Sequence, residues 1–403
     1  MEWSKKNTKL NYNMNILFVS PSFNPLDGTG WGSTQRTNLL FEACLQLGHV
    51  DVISFVDGVI SNREDCTVLY SNSAPKAGQN EGRVMKFLRM LTPLNPHAMF
   101  PKNKACTEIV KDFIAQKHYD LIVCRYIPEA MKCGLFDYAD RLVIDVDDNP
   151  CDVERTDARS SRTWRNRMYH RYRVAIIEKV VDKIQRACHF TFYANPAQAI
   201  YKNSAYLPNI PFYEYDLPVV KYDNTKPRLL FVGNMSYGPN AQGVDKFVDG
   251  VFPLIRQQIP NVELHLVGGC NQQVYLDKWS QIDGVKYMGF VDDLQEEYME
   301  ARVVVVPIYG GAGTNIKVLE AMQMRRPCVT TTYGVRGFSD FFEDNKEILI
   351  AEDDTAFAEK IVALLNDESR NHDIATKAYS AMKTHFSRKA FNEIVKNSLL
   401  SIC

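Results

Sequence analysis

The chain of 403 residues balances 47 Lys and Arg against 48 Asp and Glu, a formal net charge of -1, so no global field draws it to nucleic acid and any anion binding must be local. With 45% hydrophobic and 24% charged residues it can bury large cores and most naturally forms two domains, and no apolar run approaches a membrane span. Its ten cysteines lack C-x-x-C pairs and metal-ligand spacing, and Cys44, Cys124, Cys188 and Cys328 lie in apolar segments, which reads as reduced thiols of a cytoplasmic protein.

Residues 1–14 carry charge but no apolar signal-peptide core and read as a short lead-in. Asn15 to Ser20 is a compact apolar run ending at Pro21, the pattern of a buried strand. A loop with Gly28, Gly30 and Gly32 follows, then a helical stripe of Leu39, Leu40, Ala43, Cys44 and Leu47 that Gly48 is expected to stop. Asp51 to Val56 completes a β-loop-α-β unit of the parallel kind, although the loop is too long for the dinucleotide fingerprint. Residues 61–104 look irregular, with a basic and apolar patch from Arg83 to Arg89, and a stretch of that length is usually functional.

Asp120 to Arg125 and Leu142 to Val146 read as two more short buried strands. The second runs into Asp145, Asp147 and Asp148 at a strand's carboxyl end, where open α/β sheets place ligands. Asp145-Val146-Asp147 spells a D-x-D, but that spacing arises often by chance, and a charged strand end or acceptor-side role is expected instead of a metal site. Between Glu154 and Arg186 a long basic helical segment is predicted, with ten Arg or Lys against four Asp or Glu and with Trp164, Tyr169 and Tyr172 interleaved. Nucleic-acid binding, a surface meeting a membrane or an anionic acceptor, and a plain solvated face all stay open for it. His189 to Tyr193 reads as the next strand.

An irregular connector from Pro208 to Pro227 precedes a second start of the strand pattern: Arg228 to Gly233, a helix from Ala241 to Gln258, Val262 to Val267 and Val285 to Phe290. The restart predicts two doubly wound domains instead of one oversized sheet. The strongest stretch is Arg302 to Gly337. An apolar run from Val303 to Ile308 breaks into a glycine loop from Tyr309 to Thr314 and hands over to a helix from Asn315 to Met324. Thr314 is read as its N-cap, and the amides and dipole of that helix start suit an anion. Lys317 in the first turn opposes the dipole unless it meets something negative, and Glu320, three residues on, can accept from vicinal hydroxyls. Phosphate site, cation and hydroxyl acceptor together describe a nucleotide.

That stretch resembles the donor-binding signature of family 4 glycosyltransferases (glycosyl transferases group 1) of the GT-B fold, G-x-G-T-x-x-K-x-x-E-A-M after a P-x strand end. The matching residues are Gly311, Gly313, Thr314, Lys317, Glu320, Ala321 and Met322, followed by Arg326-Pro327 and a strand ending at Gly334, and Pro208-Asn209 resembles the family's P-N element before the linker. The resemblance implies an α/β GT-B protein with two doubly wound Rossmann-like domains facing across a cleft. Residues 1–214 would form the acceptor side, residues 215–385 the nucleotide-sugar donor side, and residues 386–403 a C-terminal helix.

It further implies a retaining glycosyltransferase, moving a sugar from a nucleotide diphospho-sugar to an acceptor hydroxyl in bacterial-type surface polysaccharide or glycoconjugate synthesis, without cofactor or metal. Lys317 would meet the diphosphate and Glu320 the ribose, with Gly30, Gly32, Gly233, Asn234, Gly311, Gly313, Thr314, Asn315 and Arg336 around the donor and with Arg125, Asp147 and Asp148 on the acceptor side. The implied partners are a nucleotide-sugar donor and a glycan or lipid-linked acceptor, with no nucleic acid. A cytoplasmic location, with peripheral contact on the anionic inner face of the plasma membrane, goes with them. The chain departs from the family in carrying Ala312 where a donor-sugar glutamate is common, Asn315 where an arginine is common, no basic residue in the NMSYGPN segment after Gly233, and Arg125 where a histidine is common. A catalytically degenerate nucleotide-binding partner subunit and a nucleotide-sugar epimerase are the alternatives those departures leave.

Overall fold

The computed structural model describes residues 13–29, 32–75, 96–147, 149–160, 163–212, 215–311 and 314–403. The chain divides into two compact units, one running to Leu207 and taking back Phe391–Cys403, the other spanning Pro208–Ala390.

The first unit holds a seven-stranded sheet in the order β3-β2-β1-β4-β5-β6-β7. Its strands are β1 (Met14–Ser20), β2 (Gly48–Ser54), β3 (Cys66–Ser71), β4 (Leu121–Arg125), β5 (Leu142–Asp145), β6 (Phe190–Tyr193) and β7 (Ser204–Tyr206), and every pairing is parallel. The strands β4, β5 and β6 are buried at every position, the pattern of a sheet covered on both faces by crossover helices. Its helices include α1 (Gly32–Leu45), α2 (Lys104–Gln116, capped by the Asn103 side chain), α3 (Pro150–Ser160) and α4 (Trp164–Ala187).

The second unit repeats the plan with a six-stranded sheet in the order β10-β9-β8-β11-β12-β13. Here β8 is Arg228–Val232, β9 Glu263–Val267, β10 Val285–Gly289, β11 Val303–Val306, β12 Cys328–Thr331 and β13 Leu349–Ala351, again all parallel. Its helices include α5 (Gly238–Lys246), α6 (Leu294–Glu300), α7 (Ile316–Gln323), α8 (Asp354–Asn366) and α9 (Glu368–His385). In each sheet the first strand of the unit has chain-later neighbours on both sides, so the order reverses between β1 and β4 and between β8 and β11. Those two reversal points, at the strands' carboxyl ends, are where doubly wound sheets hold ligands.

Several elements differ from the sequence reading. Part of the segment read as irregular is the edge strand β3, while residues 76–95, with the Arg83 to Arg89 patch, lie outside the described residues. Gly48 opens β2 instead of stopping α1, which ends at Leu45; a Cβ there would stand 2.1 Å from the Met14 carbonyl oxygen, so the strand contact itself requires glycine. The helix expected over 241–258 begins at Gly238 and passes through a π turn at Phe247–Val251 before Phe252–Gln258. The long basic helix is two helices, α3 and α4, with the Thr163 side chain capping the second.

The units divide at Leu207/Pro208, seven residues before the boundary read at 214/215, and the chain's last helix, α10 (Arg388–Leu400), reaches back into the first unit from Phe391 onward. Phe391, Val395 and Leu399 are fully buried, each such side chain worth about 1.5–3 kcal/mol. A terminal helix with a plain amphipathic pattern does not announce which of two sheets it covers.

Candidate functional site

The reversal point of the second sheet collects the loops that follow β8, β11 and β12. Gly233 follows β8, and a Cβ on it would lie 2.6 Å from Lys317 Cε, so the lysine of α7 runs directly over this glycine. Gly268, after β9, has φ +123 and would drive a Cβ to 2.2 Å from the Gly233 carbonyl oxygen, so a second glycine makes room for the first. Asn234 folds the same turn: its side-chain oxygen accepts from Ser236 N at 2.9 Å and its carbonyl accepts from Asn240 Nδ2 at 2.7 Å.

Gly311, in the loop after β11, has φ +121 and faces the Tyr237 hydroxyl and Pro239. The loop is latched from the β12 side, where the Tyr333 hydroxyl donates to the Gly311 carbonyl and Arg336 Nη2 approaches the same oxygen at 3.5 Å. Gly313, with Ala312 beside it, lies outside the described residues. Thr314 is not the N-cap: α7 begins at Ile316, the cap position belongs to Asn315, and no side chain caps it among the described residues. Thr314 Oγ1 instead accepts from Asn209 Nδ2 at 2.9 Å, and Asn315 Nδ2 donates toward the Gly334 carbonyl at 3.3 Å. Both side chains brace the loop, and the helix start is left open.

The side chains of Lys317 and Glu320 form no hydrogen bond or close ion pair with each other or with any other described residue. Both sit deep among protein atoms yet keep part of their surface open. Burial pulls the Lys317 ammonium below its ordinary pKa, with Glu320 opposing the shift, and burial pushes the Glu320 carboxyl above its own, with Lys317 opposing. Two ionisable groups held this way, without satisfying partners, cost stability unless a ligand completes them.

Glu320 also walls a cavity of about 550 Å³ whose other sides come from Tyr215, Asp292, Asp293 and Tyr298. The Tyr298 hydroxyl is buried with no hydrogen-bond partner among the described residues, and the Glu320 carboxylate is close enough to raise its pKa further beyond the effect of burial. The cavity wall is pinned by Arg326, which lies 1% exposed and donates to the carbonyls of Tyr298, Met299, Pro218, Met324 and Arg325. Besides Glu320, only Arg326 among the wall residues and their pin is marked in the sequence, in the Arg326-Pro327 pair, with no part in a cavity. Tyr298 and Asp293 sit on and beside a short helix whose local signals, the Asp293 cap and Glu296 and Glu297 in the first turn, mark a helix start and no cavity.

In the first unit, the residues expected on the acceptor side are engaged with one another. Asp145, fully buried, accepts from Arg36 Nε at 2.8 Å, Arg36 Nη2 at 2.7 Å and Arg125 Nε at 2.9 Å. Arg125 also reaches Asp147, Thr37 and the Ser33 carbonyl. Burial opposes ionisation of Asp145, but the two guanidiniums prevail and hold its pKa below the ordinary carboxylate value. The paired carboxylates of the D-x-D therefore converge on Arg125, and Arg125, 3% exposed, serves this cluster instead of presenting a guanidinium outward. Among the described residues no group of His, Cys, Asp and Glu has the arrangement of a metal site. Gly32 is the exposed first residue of α1, while Gly30 and Asp148 lie outside the described residues.

Beside the cluster, at the carboxyl ends of β1, β4 and β5, a pocket of about 350 Å³ is walled by Phe23, Phe100, Tyr126, Val153 and Ile177. Glu154 on its rim is taken up by Arg173 at 2.6 Å and His170 at 2.8 Å. All ten cysteines are free thiols, nine of them covered to some degree and Cys403 exposed. Among the described residues no helix is long and apolar enough to cross a membrane.

Residues 226–367, within the second unit, match the family model described as Glycosyl transferases group 1. In sequence, 202 residues are 25% identical to an uncharacterized 44.6 kDa protein in the cps region of Klebsiella pneumoniae, over 48% of this chain. The match spans 50% of that relative's length. In structure, the chain is similar to sucrose-phosphate synthase from Thermosynechococcus elongatus, with a TM-score of 0.68 at 17% identity over 97% of this chain and 99% of that one. It is likewise similar to Anabaena HepE in complex with UDP-glucose, with a TM-score of 0.63 at 15% identity over 96% and 100% of the two chains. These likenesses establish the fold: two Rossmann-like α/β domains of the GT-B type.

Proposed function

We propose that the protein is a glycosyltransferase that moves a sugar from a nucleotide diphospho-sugar to an acceptor hydroxyl, with retention at the anomeric carbon, in the synthesis of a surface polysaccharide or glycoconjugate. The observation that carries this reading is the pair Lys317 and Glu320. Neither has a partner among the described residues, and they stand at an uncapped helix start at the reversal point of the second sheet. The group 1 family match over this unit and the UDP-glucose held by HepE support a nucleotide sugar as the guest.

As the bond from sugar to phosphate breaks, negative charge grows on the departing diphosphate. Lys317, laid over Gly233, with the helix-start amides and Arg336 beside Gly311, stabilises that charge more in the transition state than in the ground state. Glu320 accepts from the ribose hydroxyls, and the cavity it walls with Tyr298 takes the nucleoside. The sugar centre passes through an oxocarbenium-like state, as in other glycosyl chemistry. No metal is assigned a part, because the D-x-D carboxylates are occupied by Arg36 and Arg125 and the leaving group already faces fixed positive charge. The apolar pocket beside Tyr126 is the acceptor-side candidate in place of Arg125.

The test is a panel of nucleotide sugars assayed for nucleoside diphosphate release, with and without glycan acceptors, in excess EDTA. Acceptor-dependent release from one donor, undiminished by the chelator, is the expected result. Release that stops with EDTA and returns with magnesium or manganese would overturn the metal-free site. Conversion of the sugar without release would mark an epimerase, and binding without either reaction a partner subunit.

A further inference from the structure

Helix α4 changes character along its length. Its C-terminal half buries Ile177, Val180, Val181 and Ile184 against the first unit's core. Its first turns do not: Trp164 is 70% exposed, Met168 57%, Tyr172 52% and Tyr169 44%. Trp164, Met168 and Tyr172 recur at four-residue spacing and so form one stripe along the helix. Arg165 borders that stripe on one side and Arg167 and Arg171 border it on the other, all three exposed. No Asp or Glu occurs from Thr163 to Ile177. Arg155, Arg167 and Arg171 also open a cavity of about 460 Å³ between α3 and α4.

We propose that this N-terminal half of α4 docks the protein on an anionic phospholipid bilayer. An ordinary solvated helix face has no use for an uncovered stripe of Trp, Met and Tyr, whereas amphipathic aromatic rings flanked by arginines suit the boundary between headgroups and acyl chains. Arg155 at this cavity is ion-paired with Asp152 and Glu178, and the α4 wall, with Arg171, is the side whose charge complements a headgroup phosphate. Pairing with a second copy would set the arginine rows of two helices against each other, and a nucleic acid would use the arginines but leave Met168 and most of the stripe in water. The stripe spans roughly 13 Å of helix, enough for its side chains to enter the interface together without any span of the membrane. This surface belongs to the first unit and holds whether or not the sugar-transfer reading does.

The test is flotation of the full chain with vesicles of phosphatidylcholine alone and of phosphatidylcholine mixed with phosphatidylglycerol, without donor or acceptor. The protein is expected to float with the mixed vesicles at low salt and to stay behind with the neutral ones. The double variant Arg167→Gln/Arg171→Gln should lower the partition coefficient roughly 25-fold, about fivefold per charge, and Trp164→Ser/Met168→Ser should lose binding that persists at high salt. Unchanged circular dichroism and unchanged nucleoside diphosphate binding, read in the second unit, separate these losses from misfolding. Equal flotation with both vesicle types, or none with either, would overturn the proposal. So would displacement from the mixed vesicles by duplex DNA, or a concentration-dependent doubling of mass that Trp164→Ser/Met168→Ser abolishes.

Discussion

At the scale of single residues, Lys317 and Glu320 are a cation and an anion whose side chains have no hydrogen-bond partner among the described residues. Burial lowers the Lys317 pKa from its ordinary 10.5 and raises that of Glu320 from 4.5. A bound diphosphate favours the protonated lysine and raises its pKa, so its contribution to affinity is complete below the pKa of the free protein's Lys317 and is lost as pH rises from there through the higher pKa of the complex. Ribose hydroxyls favour the ionised Glu320 and lower its pKa, so its contribution is complete above the free protein's raised value and is lost as pH falls from there through the lower pKa of the complex. Nucleoside diphosphate affinity, followed by calorimetry, should therefore fall at both extremes, with each limb displaced toward neutrality. Lys317→Ala should flatten the alkaline limb. Glu320→Gln should weaken binding by about 1.5–3 kcal/mol near neutral pH and leave on the acid side only the titration of the phosphate itself. An alkaline limb that persists in Lys317→Ala would remove the lysine from the phosphate site.

At the scale of elements, the strand β11, its glycine loop and α7 work only because the turn after β8 carries no side chain at Gly233. Gly233→Ala sets a methyl 2.6 Å from Lys317 Cε and 3.2 Å from the Phe231 ring, so the lysine has to leave its position. Moving one side chain off its rotamer costs about 0.5–1.5 kcal/mol. Diphosphate affinity should fall roughly tenfold, with a smaller fall in thermal stability, and wild-type affinity in this variant would deny the contact between the two loops.

This element was legible in the sequence because its chemistry is local: an apolar strand, a glycine loop and two charged residues three apart all fall within one run of chain. What was not legible depends on distant partners. Arg36 meets Asp145 across 109 positions, so nothing near either residue showed that the D-x-D would be spent on arginines. The Tyr298 wall of the cavity and the Arg326 that pins it come together only when α6, α7 and the linker pack. The cap at Asn315 instead of Thr314 is a matter of backbone angles one residue apart, finer than residue preference resolves.

At the scale of the whole molecule, the proposed nucleotide site lies within the second unit, while the first unit is discontinuous and buries Phe391, Val395 and Leu399. Scanning calorimetry should show two transitions. Nucleoside diphosphate at 100 times its dissociation constant should stabilise one of them by about 2.7 kcal/mol, and removal of residues 391–403 should lower the other. A single transition that shifts as a whole with nucleotide would contradict the assignment of binding to one unit.

The most direct measurement compares turnover of the preferred nucleotide sugar by the wild-type protein and by Lys317→Ala, with folding of the variant checked by circular dichroism. Losing one charge that faces a developing anion costs on the order of 3 kcal/mol of barrier, so the variant should be slower by roughly two orders of magnitude. A folded Lys317→Ala that transfers sugar at the wild-type rate would contradict the account.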